Sequence, residues 1–284
     1  MATAKFKTIS PYVKIDERQQ DESDWKYVNY LRSLASVEED DNKDESGNSK
    51  SKIVVLALFG LGRAGTIHLN NLLANREVKI KYIIDGDAAR CESVKNRLNL
   101  ASEVRFLQPA EADLLYNDEE VNAVIVATPT YTHEEYITRS LEAGKAVFTE
   151  KPVSENTEAV DRVYKLAAKL NKPLFCAFNR RFDPGFSDVR AKIRNGQLGQ
   201  VQQIKLTSRD SPLPSVAYLK ISGGIFHDCM VHDIDLMTYI LGEYPVQVFT
   251  IANAMIPEVA ELNDHDNVVS TFKFASGLST LFIS

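Results

Sequence analysis

The feature that most constrains the fold is the stretch from Lys52 to Asp85, KIVVLALFGLGRAGTIHLNNLLANREVKIKYIID. It opens with an apolar run, Ile53 to Phe59, which is too short to span a membrane and too continuous for a half-exposed strand. The run predicts a strand buried on both faces, as in a parallel sheet. A glycine-rich turn, a helical pattern and a second strand over Lys79 to Ile84 follow.

The glycines of the turn predict a dinucleotide site. Gly60 allows the sharp turn from strand to helix, Gly62 lets the backbone approach a pyrophosphate, and Gly65 lets the helix pack close to the strand. The helix N-terminus offers N–H groups and a partial positive charge to the phosphates. Asp85 lies 20 residues after Gly65, where a carboxylate can bind ribose hydroxyls. The alternative is a glycine-rich turn of another α/β protein, and the flanking strand and helix favour the dinucleotide site.

Asp85 also predicts the choice of cofactor. Its carboxylate binds free ribose hydroxyls and repels a 2′-phosphate, so NAD is expected and NADP is less favoured. Arg90 could weaken this preference by folding back, but we expect it to lie too far along the following helix.

Composition excludes several classes of protein. The 284 residues carry a net charge of −6 and no basic stripe, which argues against nucleic-acid binding. No segment approaches the ~20 apolar residues of a membrane span, and the N-terminus has no secretory signal pattern. Three scattered cysteines predict reduced thiols and no zinc site. We therefore expect a cytoplasmic protein without metal or membrane partners.

Residues 1–51 differ from the rest. Ser36 to Lys50 is acidic and almost without apolar residues, which predicts a disordered linker. Before it, apolar residues could line one side of a short helix; these are Trp25, Tyr27, Val28, Tyr30, Leu31 and Leu34. This part is either an untethered tail or a docking segment. Residues 52–178 are predicted to form the cofactor-binding domain, and residues 179–284 a second, incomplete domain.

Strand and helix patterns alternate with short loops through the first domain. Further strands are predicted at 104–107, 122–127, 146–149 and 173–177, with helices at 87–100, 110–116, 132–143 and 158–170. This rhythm indicates a doubly wound parallel sheet, a Rossmann fold. The second domain is predicted to be α+β with a mainly antiparallel open sheet. Its helices are expected at 184–195 and 226–241, and its strands at 201–209, 245–252, 267–275 and 278–283.

Ligands of open α/β sheets bind outside the carboxyl ends of the strands. Lys151 follows such a strand and could stabilise a developing alkoxide by its charge. In the second domain, Asp228 and His232 are four residues apart on a predicted helix, so they share a face. A carboxylate beside an imidazole suits a general base. The alternatives are a solvated lysine and an ordinary ion pair. His227 and His232, five apart, do not fit a zinc site.

Five stretches together resemble the family of inositol dehydrogenases, glucose–fructose oxidoreductases and related sugar dehydrogenases. They are GLGRAGTIH (60–68), ATPTYTH (127–133), AGKAVFTEKPVS (143–154), FNRRFDPGF (178–186) and GGIFHDCMVHDIDLMTYILG (223–242). The run TSRDSPLPSVAYLKISGGIFHDCMVHDIDL is most similar to the inositol 2-dehydrogenase branch. The resemblance begins at Lys52 and spans both predicted domains.

The resemblance implies NAD-dependent oxidation of a secondary hydroxyl on a cyclic polyol or sugar. By motif, Lys151, Asp228 and His232 match the catalytic residues of the family, at the junction of the two domains. Arg181, Arg209 and Asp210 are weaker candidates for binding substrate. The predicted cofactor contacts are Gly60, Gly62, Arg63, Ala64, Gly65, Asp85, Thr128, Pro129, His133, Glu150 and Lys151.

Two readings remain open. One is an active polyol dehydrogenase that forms homo-oligomers through the second sheet. The other is a non-catalytic NAD-binding regulatory or interaction protein that retains the fold. Members of the family continue beyond the point at which this chain ends, so the second sheet is expected to lack strands and to expose an edge.

Overall fold

The computed structural model describes residues 53–100 and 104–283. The predicted N-terminal extension, with its apolar and acidic segments, lies outside the described residues. The described chain divides into two compact units, the first ending at Ala177 and the second beginning at Phe178. No described helix is long and apolar enough to cross a membrane.

The first unit contains a six-stranded sheet. Its strands are β1 Val54–Phe59, β2 Val78–Ile84, β3 Arg105–Leu107, β4 Ala123–Val126, β5 Ala146–Thr149 and β6 Leu174–Cys176. All neighbours are parallel and the order is β3-β2-β1-β4-β5-β6. The predicted doubly wound Rossmann sheet is therefore confirmed. The order reverses between β1 and β4, which is where such folds bind their ligands.

Helices cover both faces of this sheet. They are α1 Arg63–Leu73, α2 Ala88–Leu98, α3 Asp113–Tyr116, α4 His133–Glu142 and α5 Thr157–Leu170. Short 3₁₀ helices, at Pro109–Glu111 and Thr130–Thr132, lead into α3 and α4. Alternate residues of β1 enter different apolar clusters, Ala57 and Phe59 on one face and Leu56 and Leu58 on the other. From Leu56 to Phe59 the apolar run is thus buried on both faces, as predicted, whereas Ile53 and Val54 at its start are exposed.

The second unit contains a four-stranded sheet with the order β7-β10-β9-β8. The strands are β7 Gln203–Thr207, β8 Pro245–Asn253, β9 Asn267–Phe274 and β10 Ser279–Ile283. Two pairs are antiparallel, as predicted, and β10 pairs in parallel with β7. One face of the sheet contributes Val268, Phe272, Phe274 and Phe282 to an apolar core.

The helices of the second unit complete this core. They are a 3₁₀ helix at Asn179–Phe182, α6 Pro184–Arg194, α7 Val216–Leu219, a π-helix at Phe226–Met230, α8 Val231–Leu241 and α9 Pro257–Ala260. Leu236, Met237 and Leu241 of α8 are completely buried in the core. We predicted one α-helix from Phe226 to Leu241, but its first turn is π-helical. The sequence did not predict α7 or α9, because four residues are too few to show a helical period.

Candidate active site

The glycine-rich turn between β1 and α1 packs tightly except at Gly62. Gly60 has a φ of +92°, and a Cβ added there would lie 2.4 Å from the Ala127 carbonyl oxygen. A Cβ on Gly65 would lie 1.9 Å from the Gly60 carbonyl oxygen. At Gly62, which precedes the first turn of α1 with Arg63 and Ala64, a Cβ would meet no atom within 4 Å. Gly60 and Gly65 are therefore required for packing, whereas Gly62 leaves open space beside the helix N-terminus.

Asp85 follows β2 directly and its carboxylate adjoins this turn. The side chain is buried; Oδ2 accepts a hydrogen bond from the Leu61 N–H at 2.6 Å, and Oδ1 accepts one from the Asp87 N–H at 2.8 Å. The carboxylate is therefore fixed beside the open space at Gly62. This is the arrangement that a bound ribose requires.

Arg90 contradicts our expectation that it lies too far from Asp85. Its Nη1 is 3.3 and 3.4 Å from the two carboxylate oxygens of Asp85, and its Nη2 is 3.2 Å from Asp87. The reason is local. The Asp87 side chain caps α2 by accepting a hydrogen bond from the Arg90 N–H, so Arg90 lies in the first turn of the helix. From there its side chain reaches back to the end of β2.

The loop after β4 carries Thr128 and Pro129, two of the predicted cofactor contacts. The Thr132 hydroxyl donates a hydrogen bond to the Pro129 carbonyl at 2.7 Å and lies 2.7 Å from the Thr128 hydroxyl. These bonds close the loop into the 3₁₀ helix that precedes α4. The backbone of the loop is thereby fixed at the carboxyl end of β4.

His133 has a different environment from the one we predicted for a cofactor contact. It is buried, with 1% of its surface exposed, and its Nδ1 and Nε2 each lie 2.8 Å from a carbonyl oxygen, of Pro152 and Thr128 respectively. Burial lowers the pKa of His133, although both carbonyls and the charge of Glu150 favour the protonated ring. His133 therefore lies between the loops after β4 and β5, and each of its ring nitrogens faces a backbone carbonyl of one loop.

Glu150 anchors the loop that carries Lys151. Its Oε1 lies 2.7 Å from Nε2 of His68 on α1, and its Oε2 accepts a hydrogen bond from the Lys151 N–H at 3.2 Å. Burial opposes ionisation of Glu150, but the His68 hydrogen bond and nearby positive charge lower its pKa overall. The contact between His68 and Glu150 thus ties the Lys151 loop to the helix after the glycine turn. We did not predict a role for His68; the only signal was its place in the first quoted motif.

Asp228 and His232 lie in the second unit. Asp228 is in the π-helix and its Oδ2 accepts a hydrogen bond from the Tyr218 hydroxyl at 2.8 Å. His232 is in the first turn of α8, partly buried, with its ring edge-on to Phe178 at 6.4 Å. A single π-helical turn inside a longer helix is frequent at functional sites. The two residues therefore do not both lie on an α-helix, because Asp228 is in the π-helical turn. That their side chains share a face remains a prediction.

The predicted substrate residues have two different environments. Arg209 and Asp210 line a cavity of about 280 Å³ in the second unit, together with Arg180, Ser208 and Asp233. Arg181 instead forms a bidentate ion pair with the buried Asp235, at 2.9 and 2.6 Å, and lies over the Tyr239 ring. Its contacts anchor the 3₁₀ helix to α8, so it serves the fold.

Arg180 was missed by the sequence interpretation. It pairs with buried Asp233, whose oxygens also accept hydrogen bonds from the Ser208 hydroxyl at 3.1 and 3.0 Å. Nothing in the sequence separates Arg180 from its neighbour Arg181, because their partners come from a distant helix. No group of three or more His, Cys, Asp or Glu side chains among the described residues could hold a metal ion.

Family models match both units. Residues 54–178 match the model of an oxidoreductase family with an NAD-binding Rossmann fold, and residues 186–284 match the GFO/IDH/MocA C-terminal domain. The chain belongs to the GFO/IDH/MocA oxidoreductase family. The resemblance in the five motifs is thereby confirmed.

Individual relatives agree with this assignment. The chain is 36% identical over 225 residues to an inositol 2-dehydrogenase of Rhizobium meliloti. The aligned region covers 79% of this chain and 66% of the relative. The chain is also 36% identical over 223 residues to a myo-inositol 2-dehydrogenase of Thermotoga maritima, covering 78% and 65%. The crystal structure of a myo-inositol dehydrogenase from Corynebacterium glutamicum has a TM-score of 0.72 at 28% identity, covering 81% of this chain and 67% of that one. The chain thus spans just under two thirds of the length of these curated relatives.

Proposed function

We propose that this protein is an NAD-dependent oxidoreductase that oxidises a secondary hydroxyl of a cyclic polyol, as an inositol 2-dehydrogenase does. The observation that carries the proposal is the fixed Asp85 carboxylate beside the open Gly62, in a chain whose relatives are named inositol 2-dehydrogenases. The fold alone would not support a substrate, because the same fold serves many reactions.

The residues present fit NAD. The open space at Gly62 admits a pyrophosphate at the N-terminus of α1, and Asp85 lies where it can accept hydrogen bonds from the adenosine ribose. The same carboxylate disfavours a 2′-phosphate. When bound, the nicotinamide supplies the acceptor for the hydride that leaves the alcohol carbon.

Three residues are proposed to act on the alcohol. His232 accepts the hydroxyl proton, since imidazole titrates near neutral pH. Lys151 holds the reacting oxygen and stabilises its developing negative charge. Asp228 holds a substrate hydroxyl or orients His232. The loop contacts of Glu150 and His133 support this role for Lys151, because they fix the backbone from which it projects.

The cavity in the second unit suits the hydroxyl groups of a polyol. Arg209 and Asp210 offer hydrogen-bond donors and acceptors at its lining, with Arg180 and Ser208 beside them. We propose Arg209 and Asp210 as substrate-binding residues. Arg181 is a weaker candidate than the sequence suggested, because its guanidinium is paired with Asp235.

We also propose that the protein forms homo-oligomers in the cytosol. The outer face of the second sheet carries an apolar patch beside polar residues such as Thr271 and Lys273. In register across the strands, the patch is formed by Phe249, Ile251, Val269, Leu281 and Ile283. Phe249 and Ile251 are 65% and 53% exposed, and a patch of this kind favours association with another protein surface. The cysteines are three in number and scattered along the sequence, a pattern that favours reduced thiols and a reducing compartment.

The test is steady-state reduction of NAD with a panel of inositols and other polyols, followed by absorbance. We expect turnover with at least one cyclic polyol. His232→Ala should lower kcat by about 10²–10⁴-fold while NAD binding stays nearly unchanged. Lys151→Ala should also lower kcat, and Lys151→Arg should not restore it, because a planar guanidinium does not replace a compact ammonium.

Two results would contradict the proposal in different ways. NAD binding without turnover of any polyol would favour the non-catalytic reading, in which the fold binds cofactor for regulation. Near-normal turnover of His232→Ala would leave the family and the cofactor intact but would remove His232 from the reaction.

A further inference from the structure

Tyr218 contacts Asp228 from a separate element of the second unit. It lies on α7, ten residues before Asp228, and donates its hydroxyl to Asp228 Oδ2 at 2.8 Å. Tyr218 is 38% exposed and belongs to none of the apolar clusters of the described residues. The contact that joins it to Asp228 is made by its hydroxyl.

The segment between the two residues is held at both ends. Ser215 caps α7 through the Tyr218 N–H at 3.3 Å. At the other end, Gly223 and Gly224 have φ values of +84° and +83°. Asp264 accepts a hydrogen bond from the Ile225 N–H at 3.1 Å. Because a Cβ on Gly224 would lie 2.8 Å from Asp264 Oδ1, this close approach requires glycine.

The turn that carries Asp228 is also anchored. The π-helix ends at Met230, which is buried in the core of the second unit. The backbone of Asp228 is therefore fixed, and what remains to be set is the rotation of its carboxylate. A carboxylate that accepts a charge-assisted hydrogen bond from a tyrosine hydroxyl is held in one orientation.

We propose that Tyr218 is a positioning residue for Asp228, and that its hydroxyl fixes the carboxylate in the orientation that meets the polyol. This inference rests on the proposed function, in which Asp228 holds a substrate hydroxyl. Tyr218 acts through Asp228 and takes no proton in the reaction.

The test is a double-mutant cycle on the full chain, with Tyr218→Phe, Asp228→Ala and the double variant. Tyr218→Phe should lower kcat/KM for the polyol about tenfold, the effect of losing one hydrogen bond to a charged group. The dissociation constant of NAD should not change. In the Asp228→Ala background the same substitution should change kcat/KM by less than about twofold, because the group it positions is gone.

Tyr244→Phe is the matched control. It removes the same oxygen from a tyrosine that is 74% exposed, and it should leave both kcat/KM and the melting temperature unchanged. An equal loss of kcat/KM from Tyr218→Phe in both backgrounds would overturn the proposal, because Tyr218 would then act independently of Asp228. Unchanged kcat/KM in the wild-type background would overturn it as well.

Crystal structures of the wild type and of Tyr218→Phe test the positioning role by a measurement that does not depend on enzyme activity. We expect the backbone of Phe226–Met230 to be the same in both and the Asp228 carboxylate to be rotated or spread over several orientations in the variant. The same single orientation in both would refute the positioning role. Absence of wild-type turnover, by contrast, would refute the proposed function. The two crystal structures would still show whether Tyr218 orients the Asp228 carboxylate.

Discussion

The Asp85 carboxylate is surrounded by three donors: the N–H groups of Leu61 and Asp87 and the guanidinium of Arg90. The two backbone donors fix its orientation, and Arg90 balances part of its charge. A 2′-phosphate would meet the carboxylate and the guanidinium at once, one repelling it and the other attracting it. The preference for NAD therefore depends on Asp85 outweighing Arg90.

This balance can be measured with two variants. Asp85→Ala should weaken NAD binding about tenfold and tighten NADP binding, because the repulsion is removed while Arg90 remains. The double variant Asp85→Ala/Arg90→Ala should not show this gain in NADP affinity, because the guanidinium that attracts the 2′-phosphate is absent. Fluorescence titrations with NADH and NADPH report both dissociation constants. If Asp85→Ala still binds NADH much more tightly than NADPH, the carboxylate does not determine the choice.

At the scale of the elements, the glycines of the turn between β1 and α1 have different roles, some in folding and one in cofactor binding. Gly62→Val adds its side chain to open space, so it should leave the melting temperature nearly unchanged and abolish NAD binding. Gly65→Ala places a Cβ 1.9 Å from a backbone oxygen and should destabilise the protein, by about 1–3 kcal/mol or more. Thermal unfolding and NAD titration distinguish the two. A stable Gly62→Val variant that binds NAD normally would contradict the assignment of the turn.

The link between the loops after β4 and β5 should depend on pH through His133. The pKa of His133 is lowered by burial. In the unfolded chain a histidine has a pKa of about 6.5, so on acidification the unfolded chain takes up the proton first. The free energy of unfolding should therefore fall as pH decreases through that value.

His133→Asn removes this titration. At about pH 7.5 the variant should be about 1–3 kcal/mol less stable than wild type, because a buried carbonyl loses its donor. The difference should shrink toward about pH 5.5, as the wild type loses the contribution of His133. Glu150, whose pKa is also lowered, is present in both proteins, so its titration cancels in the comparison. A difference in melting temperature that grows on acidification would contradict the lowered pKa.

The helices and strands that the sequence predicted are those whose signals lie within their own residues. The continuous apolar run of β1 and the glycine spacing define the first βαβ unit, and the Asp87 cap marks the start of α2. The π-helix at Phe226–Met230 carries no local signature, since it is one turn at the start of a longer helix. The ion pair of Arg180 with Asp233 and the contact of His133 with the Pro152 carbonyl likewise depend on how distant segments meet. Those contacts required the structure.

At the scale of the whole molecule, the outer face of the second sheet leaves apolar side chains in contact with solvent. If this face joins copies of the chain, Phe249→Lys should shift the protein to smaller species without lowering its melting temperature, because the side chain is 65% exposed. Light scattering coupled to size exclusion gives the mass. Leu198→Lys, at an exposed loop position, is the control. An unchanged assembly in Phe249→Lys would exclude this face as the interface.

The central claim is that the chain transfers hydride from a carbinol carbon of a cyclic polyol to NAD. The most direct measurement uses a cyclic polyol that supports turnover in the panel, deuterated at its ring carbons, with mass spectrometry of the reduced cofactor. The account predicts one deuterium in each molecule of NADH formed, and about 10²–10⁴-fold slower formation with His232→Ala. NADH without deuterium, or labelled NADH formed equally fast by the His232→Ala variant, would contradict it.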